Sequence, residues 1–130
     1  MATTNSTPTV NQIIYEVTAV VNKEIAEKWD TYIQKHVSEI VSLENGTLFK
    51  KGVIHKLTQP SDPATEEYVM QYFVVSQETL DTYVKVHAPR LREEALTLFS
   101  TGGLKTSRRI YAVLHEIQSI PQTKEFGYVF

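Results

Sequence analysis

The sequence predicts a single α+β domain that contains two β-α-β halves in tandem. Four segments are rich in β-branched and aromatic residues, and two other segments repeat apolar residues at helical spacing. Clusters of Gly, Pro, Asn and Asp separate these segments as turns. With 130 residues, of which 42% are hydrophobic and 22% charged, the chain has the size and composition of one globular domain.

The first half begins with a strand over residues 12–21, which is rich in Ile, Val, Tyr and Thr. Asn22 is a suitable N-cap for the helix that follows, and the turn signal at residues 44–46 ends this helix. A second strand is predicted over residues 47–57, where Gly52 indicates a bulge or a bend. The apolar stripe of the helix comprises Ile25, Trp29, Tyr32, Ile33, Val37, Ile40 and Val41.

The second half follows a loop over residues 59–63 and begins with a third strand at about residues 67–75. Ser76 is expected to cap a second helix, which ends before the glycines at 102–103. A fourth strand is predicted over residues 105–117. The apolar stripe of this helix comprises Leu80, Tyr83, Val84, His87, Leu91, Ala95 and Leu98.

Pro89 lies inside the second predicted helix. A proline lacks the backbone N–H and disfavours helical geometry at the preceding residue, here Ala88, so we expect a kink or a break. The element order is β-α-β-β-α-β, the ferredoxin-like arrangement, with a four-stranded antiparallel sheet and both helices on one face.

The opposite face of this sheet is also predicted to be apolar. In the third strand, Val69, Phe73 and Val75 share that face with Gln71. Such a surface is larger than a monomer normally exposes, so we expect a homodimer in which two sheets meet face to face. Alternatively, the aromatic C-terminal segment, which ends at Phe130, folds back over the sheet.

We expect residues 1–11 to be a disordered tail, residues 12–117 to form the domain, and residues 118–130 to be an extension docked on the domain or on a partner. The tail has neither a basic start nor an apolar run, so we predict no signal peptide and no membrane anchor. No apolar run reaches the length of a membrane span. A cytoplasmic protein is the default expectation.

Charge and cysteine content exclude several classes of function. The net charge of −2 argues against a nucleic-acid partner, and pairs such as Arg108-Arg109 are typical of a solvated surface. The absence of cysteine excludes disulfides, thiolate metal sites and cysteine nucleophiles. We expect no metal, because only His36 and His87 are placed to converge, with Glu16 remote from both.

Two histidines lie on the apolar stripes of the helices and could approach one cavity between the helices and the sheet. His36 is in the first helix, and His87 directly precedes the Ala88-Pro89 break in the second. Imidazole can act as acid or base near neutral pH, and Tyr83 lies one turn before His87. The alternative is that each histidine is a buried residue bonded to backbone. Gln71 must bond to a ligand, a helix histidine or a dimer mate.

Several blocks resemble an uncharacterised family of small, mostly bacterial proteins known only as a domain of unknown function. The resemblance covers about residues 12–113, and the His87-Ala88-Pro89 block is its most specific mark. Where that family usually has a proline in the first helix, this chain has Ser38. The blocks are residues 13–18, Trp29, residues 36–40, residues 71–73 and residues 87–91.

That family is similar in turn to the dimeric α+β barrels, which include cofactor-free monooxygenases, haem-degrading enzymes and polyketide cyclases. The resemblance implies a homodimeric pocket protein for a small molecule, of the cofactor-free cyclase, isomerase or monooxygenase kind. In the cyclases a tyrosine and a histidine near a proline do acid–base work. Tyr83 and His87 occupy a comparable place at a different spacing, so the analogy is one of fold.

Our functional hypothesis assigns catalysis to His87 as the acid–base residue, with Tyr83 and His36. We expect Gln71, Tyr15, Trp29 and Arg90 to bind substrate, and we expect no resident cofactor. The first alternative is a ligand-binding or dimeric interaction protein without catalysis. The second is a haem binder with His87 as axial ligand.

Overall fold

A computed structural model describes residues 11–121 of the chain. The predictions for residues 1–10 and 122–130, which cover nearly all of the tail and most of the C-terminal extension, lie outside the described residues. The elements are β1 (Ile13–Asn22), α1 (Ala26–Ser42), β2 (Phe49–Lys56), β3 (Thr65–Val74), α2 (Gln77–Thr82), α3 (Ala88–Leu98) and β4 (Leu104–Ala112).

The four strands form one antiparallel sheet in the order β2-β3-β1-β4. Tyr15 in the central strand lies opposite Tyr72 of β3 and Ile110 of β4. The apolar stripes of the helices cover one face of this sheet, and they bury Trp29, Ile33 and Leu91 against it. The predicted ferredoxin-like α+β fold is confirmed.

Strand β4 is shorter than predicted because its partner ends. Strand β1 begins at Ile13, which lies opposite Ala112, so later residues of the chain have no strand beside them. The N–H of Val113 still donates to the carbonyl of Gln12 at 2.7 Å. Residues 113–121 then continue without regular secondary structure.

The second helical segment contains a wide turn at the predicted irregularity. Ser76 caps α2 as expected, through a reciprocal pair of hydrogen bonds with Thr79. Residues 83–87 form a π-helical turn, and the N–H of Ala88 donates to the carbonyl of Tyr83, five residues earlier. Helix α3 therefore begins after this turn, with Pro89 in its first turn. Backbone N–H groups in the first turn of a helix have no partner within the helix, so the N–H that proline lacks costs no hydrogen bond there.

Strand β2 packs closely against α1 because of Gly52. A Cβ atom at this position would lie 2.7 Å from Cγ1 of Val37 and 3.2 Å from Cγ1 of Val41. The predicted bulge is nearby rather than at the glycine, since the register shifts between Phe49 and Lys51. Gly52 thus serves close packing between helix and sheet.

The open face of the sheet, on the side away from the helices, has a polar centre. Oε1 of Glu16 accepts hydrogen bonds from Gln71 at 3.0 Å and from Tyr111 at 2.6 Å. Oε2 of the same carboxylate accepts from Nε of Arg109 at 2.6 Å, and the amide oxygen Oε1 of Gln71 accepts from Nε2 of His55 at 3.2 Å. We call this set the Glu16 network. The expectation that this face is apolar apart from Gln71 is therefore wrong at its centre.

Burial alone would raise the pKa of Glu16, which is 2% exposed. Hydrogen bonds from Tyr111, Gln71 and Arg109, together with the positive charge of Arg109, outweigh burial and lower the pKa below its ordinary value. The carboxylate is therefore ionised in the folded protein, and its partners balance the cost of burying it.

We expect Glu16 to make stability depend on pH. Its folded-state pKa is below its unfolded value, so its contribution is complete above about pH 4.3 and is lost as the pH falls through the folded-state pKa. Glu16→Gln should cost about 1–3 kcal/mol at pH 7, because charge-assisted hydrogen bonds are lost.

Urea unfolding at fixed protein concentration, at pH 7 and at pH 4 and below, measures this effect. The difference between wild type and Glu16→Gln should shrink at low pH, whereas Glu93→Gln, on the exposed side of α3, should follow wild type throughout. A difference that is the same at every pH would contradict the assignment.

Candidate functional site

A cavity of about 150 Å³ lies between the helices and the covered face of the sheet. Its walls come from α1, α3, the π-helical turn and three strands, so residues distant in sequence meet there. Its polar or aromatic lining residues are Tyr15, Trp29, Tyr32, His36, Tyr72, Tyr83, Arg92, Thr106 and Arg108. The remaining walls are apolar, with Ile33, Ile40, Met70 and Leu91 among them.

Tyr15 packs against two other tyrosines of the cavity wall, Tyr72 from the sheet and Tyr83 from the π-helical turn. The ring centroids of Tyr15 and Tyr83 are 5.7 Å apart in an edge-to-face arrangement, and those of Tyr15 and Tyr72 are 6.0 Å apart. Burial raises the pKa of Tyr83 and of Tyr72 well above the ordinary value. Their hydroxyl groups are therefore protonated at neutral pH and can donate hydrogen bonds to a ligand.

His36 and Tyr32 form a pair one helical turn apart on α1. His36 Nδ1 and the Tyr32 hydroxyl share a hydrogen bond of 3.0 Å, and the two rings stack with centroids 5.0 Å apart. Burial raises the pKa of Tyr32 to about 12, helped by the carboxylates of Glu94 and Glu39. The phenol is therefore neutral beside the imidazole at physiological pH.

Burial lowers the pKa of His36 below its ordinary value. The nearby carboxylate of Glu39 acts in the opposite direction, whereas the positive charges of Arg108 and Arg90 lower the pKa further. The imidazole is neutral at pH 7 as a result. With Nδ1 engaged by Tyr32, Nε2 is the ring nitrogen available to exchange a proton with a ligand.

Two solvent-exposed arginines from different elements line the opening of the same cavity. Arg92 comes from α3, and its guanidinium donates to the hydroxyl of Tyr15 at 3.4 Å. Arg108 comes from the helix-facing side of β4, and its guanidinium reaches only the Thr106 hydroxyl, at 3.5 Å. Within residues 11–121, neither guanidinium has a carboxylate within 4 Å.

Trp29 contributes a buried donor that lacks an acceptor. The residue is 3% exposed and lines the cavity, and its indole N–H has no hydrogen-bond partner in the described part of the chain. An unsatisfied buried donor costs about 1–3 kcal/mol. A ligand with an acceptor atom at this wall would remove that cost.

The structure brings together four of the seven predicted site residues. Tyr83, His36, Tyr15 and Trp29 all line the cavity. Gln71 does not, because alternate residues of β3 face opposite sides of the sheet and Gln71 belongs to the Glu16 network. Of the partners expected for Gln71, a helix histidine is therefore excluded, and its role in substrate binding stays a prediction.

His87 and Arg90 also lie outside the cavity lining. The buried residues of the second helical segment are Leu80, Tyr83, Ala88 and Leu91, which lie three, five and three positions apart. The gap of five comes from the π-helical turn, and because of it His87 is not on the face that holds Tyr83. Nε2 of His87 instead lies 2.7 Å from Oε2 of Glu44, and Arg90 contacts Glu39 at 3.3 Å. The expectation that His36 and His87 share one cavity is wrong.

Sequence reasoning missed Tyr32, Arg92 and Arg108 as site residues. Both Arg108 and Arg109 are exposed, as the pair predicts, but adjacent strand residues face opposite sides and only Arg108 is at the cavity. A sequence signal did exist for Arg108: it interrupts the helix-facing row of β4 between Leu104 and Ile110. Nothing in the helix pattern distinguishes Arg92 from a solvated arginine.

One group of side chains at the cavity has the composition of a metal site. Ligand atoms of His36, Glu39 and Glu94 lie within 4.8 Å of one another. Arg90 already neutralises Glu39, and the positive charges of Arg108 and Arg90 act on His36. A cation would therefore bind against neighbouring positive charge, which makes this set a weak metal site.

We expect His36 to titrate below the ordinary histidine value of about 6.5. Arg108→Gln should raise its pKa, because a positive charge is removed, and Glu39→Gln should lower it. Since the folded-state pKa is below the unfolded value, the contribution of His36 to stability is complete above about pH 6.5 and declines as the pH falls below it. NMR titration of the ring protons, assigned with His36→Gln, measures these shifts, and a pKa above 6.5 would contradict the buried neutral state.

None of the helices within residues 11–121 combines the length and the apolar character needed to cross a membrane.

Solved structures similar to this chain share its fold at low sequence identity. A protein from Bacillus cereus, provisionally named an antibiotic biosynthesis monooxygenase, matches with a TM-score of 0.57 and 12% identity over 85% of this chain and 100% of its own. A protein from Deinococcus radiodurans with the same provisional name matches with a TM-score of 0.57 and 15% identity, over 84% of this chain and 99% of its own. A dimeric ferredoxin-like protein from an uncultured marine organism matches with a TM-score of 0.55 and 16% identity, over 82% of this chain and 99% of its own.

No curated protein matches the chain. The family model described as Domain of unknown function (DUF4286) matches residues 12–113, which include every strand and helix of the fold and the whole lining of the cavity. This match confirms the resemblance seen in the sequence blocks. The chain therefore belongs to the DUF4286 family.

Proposed function

We propose that the protein binds a small organic molecule in the cavity between its helices and sheet, and that it catalyses proton transfer on that molecule. The observation that carries this proposal is His36, a neutral imidazole at the wall of an aromatic cavity, with one ring nitrogen held by Tyr32. A neutral imidazole with a free nitrogen is a general base at pH 7.

Each neighbouring group has a role that follows from its protonation state. In the tautomer whose Nδ1–H donates to the Tyr32 oxygen, Nε2 of His36 is unprotonated and removes a proton from a carbon beside a carbonyl group, while Tyr32 orients the ring. The protonated hydroxyl of Tyr83 donates a hydrogen bond to the oxygen on which negative charge develops. The imidazolium then returns the proton to another carbon of the conjugated enolate, which is an isomerisation without net redox change.

The fold comparisons support this proposal only at the level of architecture. Two similar structures carry the name antibiotic biosynthesis monooxygenase, so this fold is associated by name with chemistry on small organic molecules. At 12% and 15% identity they transfer no residue roles. Monooxygenase chemistry in this chain would begin with the same step, removal of a proton by His36 to give a carbanion.

His87 is retained as a second candidate for acid–base work, as the sequence suggested. Its ion-pair geometry with Glu44 favours a positioning role, because the contact links the π-helical turn to the residues 43–46 that end the first helical segment. Glu44 has a positive φ of 48°, so this side chain is presented from a constrained turn.

The rival function is ligand binding without catalysis. In that case the hydroxyl of Tyr83, the imidazole of His36 and the indole N–H of Trp29 form hydrogen bonds with the ligand, and no proton is transferred. Binding and turnover must therefore be measured separately. Trp29 is the only tryptophan in the chain and lines the cavity, so its fluorescence reports occupancy.

We expect the protein to convert 3-cyclohexen-1-one, a single ring with an acidic carbon, to conjugated 2-cyclohexen-1-one. His36→Gln should lower the rate by about 10²–10⁴-fold, because it removes the base. His55→Gln, on the opposite face of the sheet, is the matched control and should retain the wild-type rate. Appearance of the enone absorbance measures turnover, and quenching of Trp29 fluorescence measures binding.

Three results separate the candidates. An unchanged rate in His36→Gln with a large loss in His87→Gln would transfer the base role to His87. Fluorescence quenching without turnover would favour the binding protein. If the enone forms at the same rate in all three histidine variants, the protein does not catalyse proton transfer at either site.

We also propose that two copies of the chain associate through the open faces of their sheets. The segment after β4 exposes three large apolar side chains, Leu114 at 74%, Ile117 at 91% and Ile120 at 86%. Around the Glu16 network, Val20, Val69 and Phe73 are half-buried on the open face and offer an apolar rim. A similar structure is described as a dimeric ferredoxin-like protein.

Light scattering after size exclusion should give the mass of a dimer for the wild-type chain. Ile117→Asp should shift the equilibrium towards monomer by at least about tenfold, because burying an unpaired charge at an interface is costly. Val86→Asp, at a 60% exposed position on the helical side, should remain dimeric. A monomeric wild type at high protein concentration would disprove the association.

A further inference from the structure

We propose that the natural ligand of the cavity is a ring compound with a carboxylate group, which Arg108 and Arg92 bind together. This inference rests on the proposed function, since it names the class of molecule that the cavity takes. The inference is based on the guanidinium groups of these two arginines. Both line one small cavity, and neither has a carboxylate partner in the described part of the chain.

Arg108 is an exposed residue of the edge strand β4, and its side chain lies where the cavity opens to solvent. It lies on the helix-facing side of β4, opposite Val17 of β1, in the row that begins with Leu104. Its neighbour Arg109 faces the other side and is paired with Glu16 at 2.6 Å. Two adjacent arginines therefore have different roles, and only the one that lines the cavity lacks a counter-charge.

Arg92 adds a second guanidinium from a separate element. Its contact with the Tyr15 hydroxyl, at 3.4 Å, anchors the side chain at the cavity while most of its donors remain available. The planar guanidinium matches the geometry of a carboxylate, to which it can donate two parallel hydrogen bonds. Thr106 supplies a further hydroxyl at the same wall.

The size and walls of the cavity indicate what carries this carboxylate. A volume of about 150 Å³ suits a single six-membered ring, since cavities of that order accept benzene. Tyr15, Tyr72 and Tyr83 offer aromatic faces and edges against which a planar ring can pack. The unpartnered N–H of Trp29 requires an acceptor such as a ring hydroxyl or carbonyl oxygen.

An anion fits this site better than a cation does. The carboxylate nearest to His36 on α1, Glu39, already pairs with Arg90 at 3.3 Å. The remaining acid of that group, Glu94, is exposed on α3. Arg92 and Arg108 have no carboxylate partner in the described part of the chain, so a ligand carboxylate would supply the negative charge that pairs with them.

Salicylate and salicylamide form a matched pair of probes, because they share ring, hydroxyl and size and differ in charge. Titrated against the full chain and followed by quenching of Trp29, salicylate should bind at least about tenfold more tightly than salicylamide. In Arg108→Gln, and separately in Arg92→Gln, the two affinities should become equal within about threefold. Lys105→Gln, which removes the same charge from the opposite side of β4, should keep the wild-type ratio.

The possible outcomes separate this inference from the proposed function. Equal binding of both probes to the wild-type chain would overturn the carboxylate assignment and leave the pocket intact. No quenching by salicylate, salicylamide or neutral phenol would overturn the pocket itself. If Arg108→Gln loses the far-ultraviolet circular dichroism of a folded chain, Arg108→Lys is tested in its place. Lysine keeps the positive charge but lacks the planar guanidinium, so this variant should keep only part of the preference for salicylate.

Discussion

The alternation of side chains along four paired strands is the constraint on which the rest of this structure depends. Each strand residue must face either the helices or the open side, and antiparallel pairing fixes which residues stand together. Tyr15 and Arg108 thereby meet at the cavity, while their neighbours Glu16 and Arg109 meet on the other face. One register thus produces both the cavity and an ion pair in which the carboxylate is buried and the guanidinium is exposed.

The covered face combines close packing with one incomplete region. Gly52 lets β2 approach α1 closely, and the aromatic side chains fill much of the space near the centre of the sheet. Towards α3 and β4, the lining includes two exposed arginines and an exposed threonine beside its apolar residues. The cavity and its opening therefore combine a ring-sized space, neutral hydroxyl donors and positive charge, which is the combination that the proposed acidic ligand requires.

The π-helical turn links the backbone to the chemistry of the site. It accommodates Pro89 by restarting the helix, and it changes which residues of this segment are buried. Tyr83 and Ala88 lie five residues apart on the buried side, so Tyr83 lines the cavity while His87 turns towards Glu44. The histidine that the sequence made most prominent is therefore at the periphery, and the less conspicuous His36 is at the cavity.

The sequence by itself determined the element order, the strand and helix positions to within a few residues, the Ser76 cap and an irregularity at Pro89, because these depend on local periodicity and backbone chemistry. It also singled out Tyr83, His36, Tyr15 and Trp29. Only the tertiary structure decided that Gln71 faces Glu16, that His87 pairs with Glu44 and that Arg108 enters the cavity. Those outcomes depend on strand register and on one wide helical turn, which bring together residues far apart in the chain.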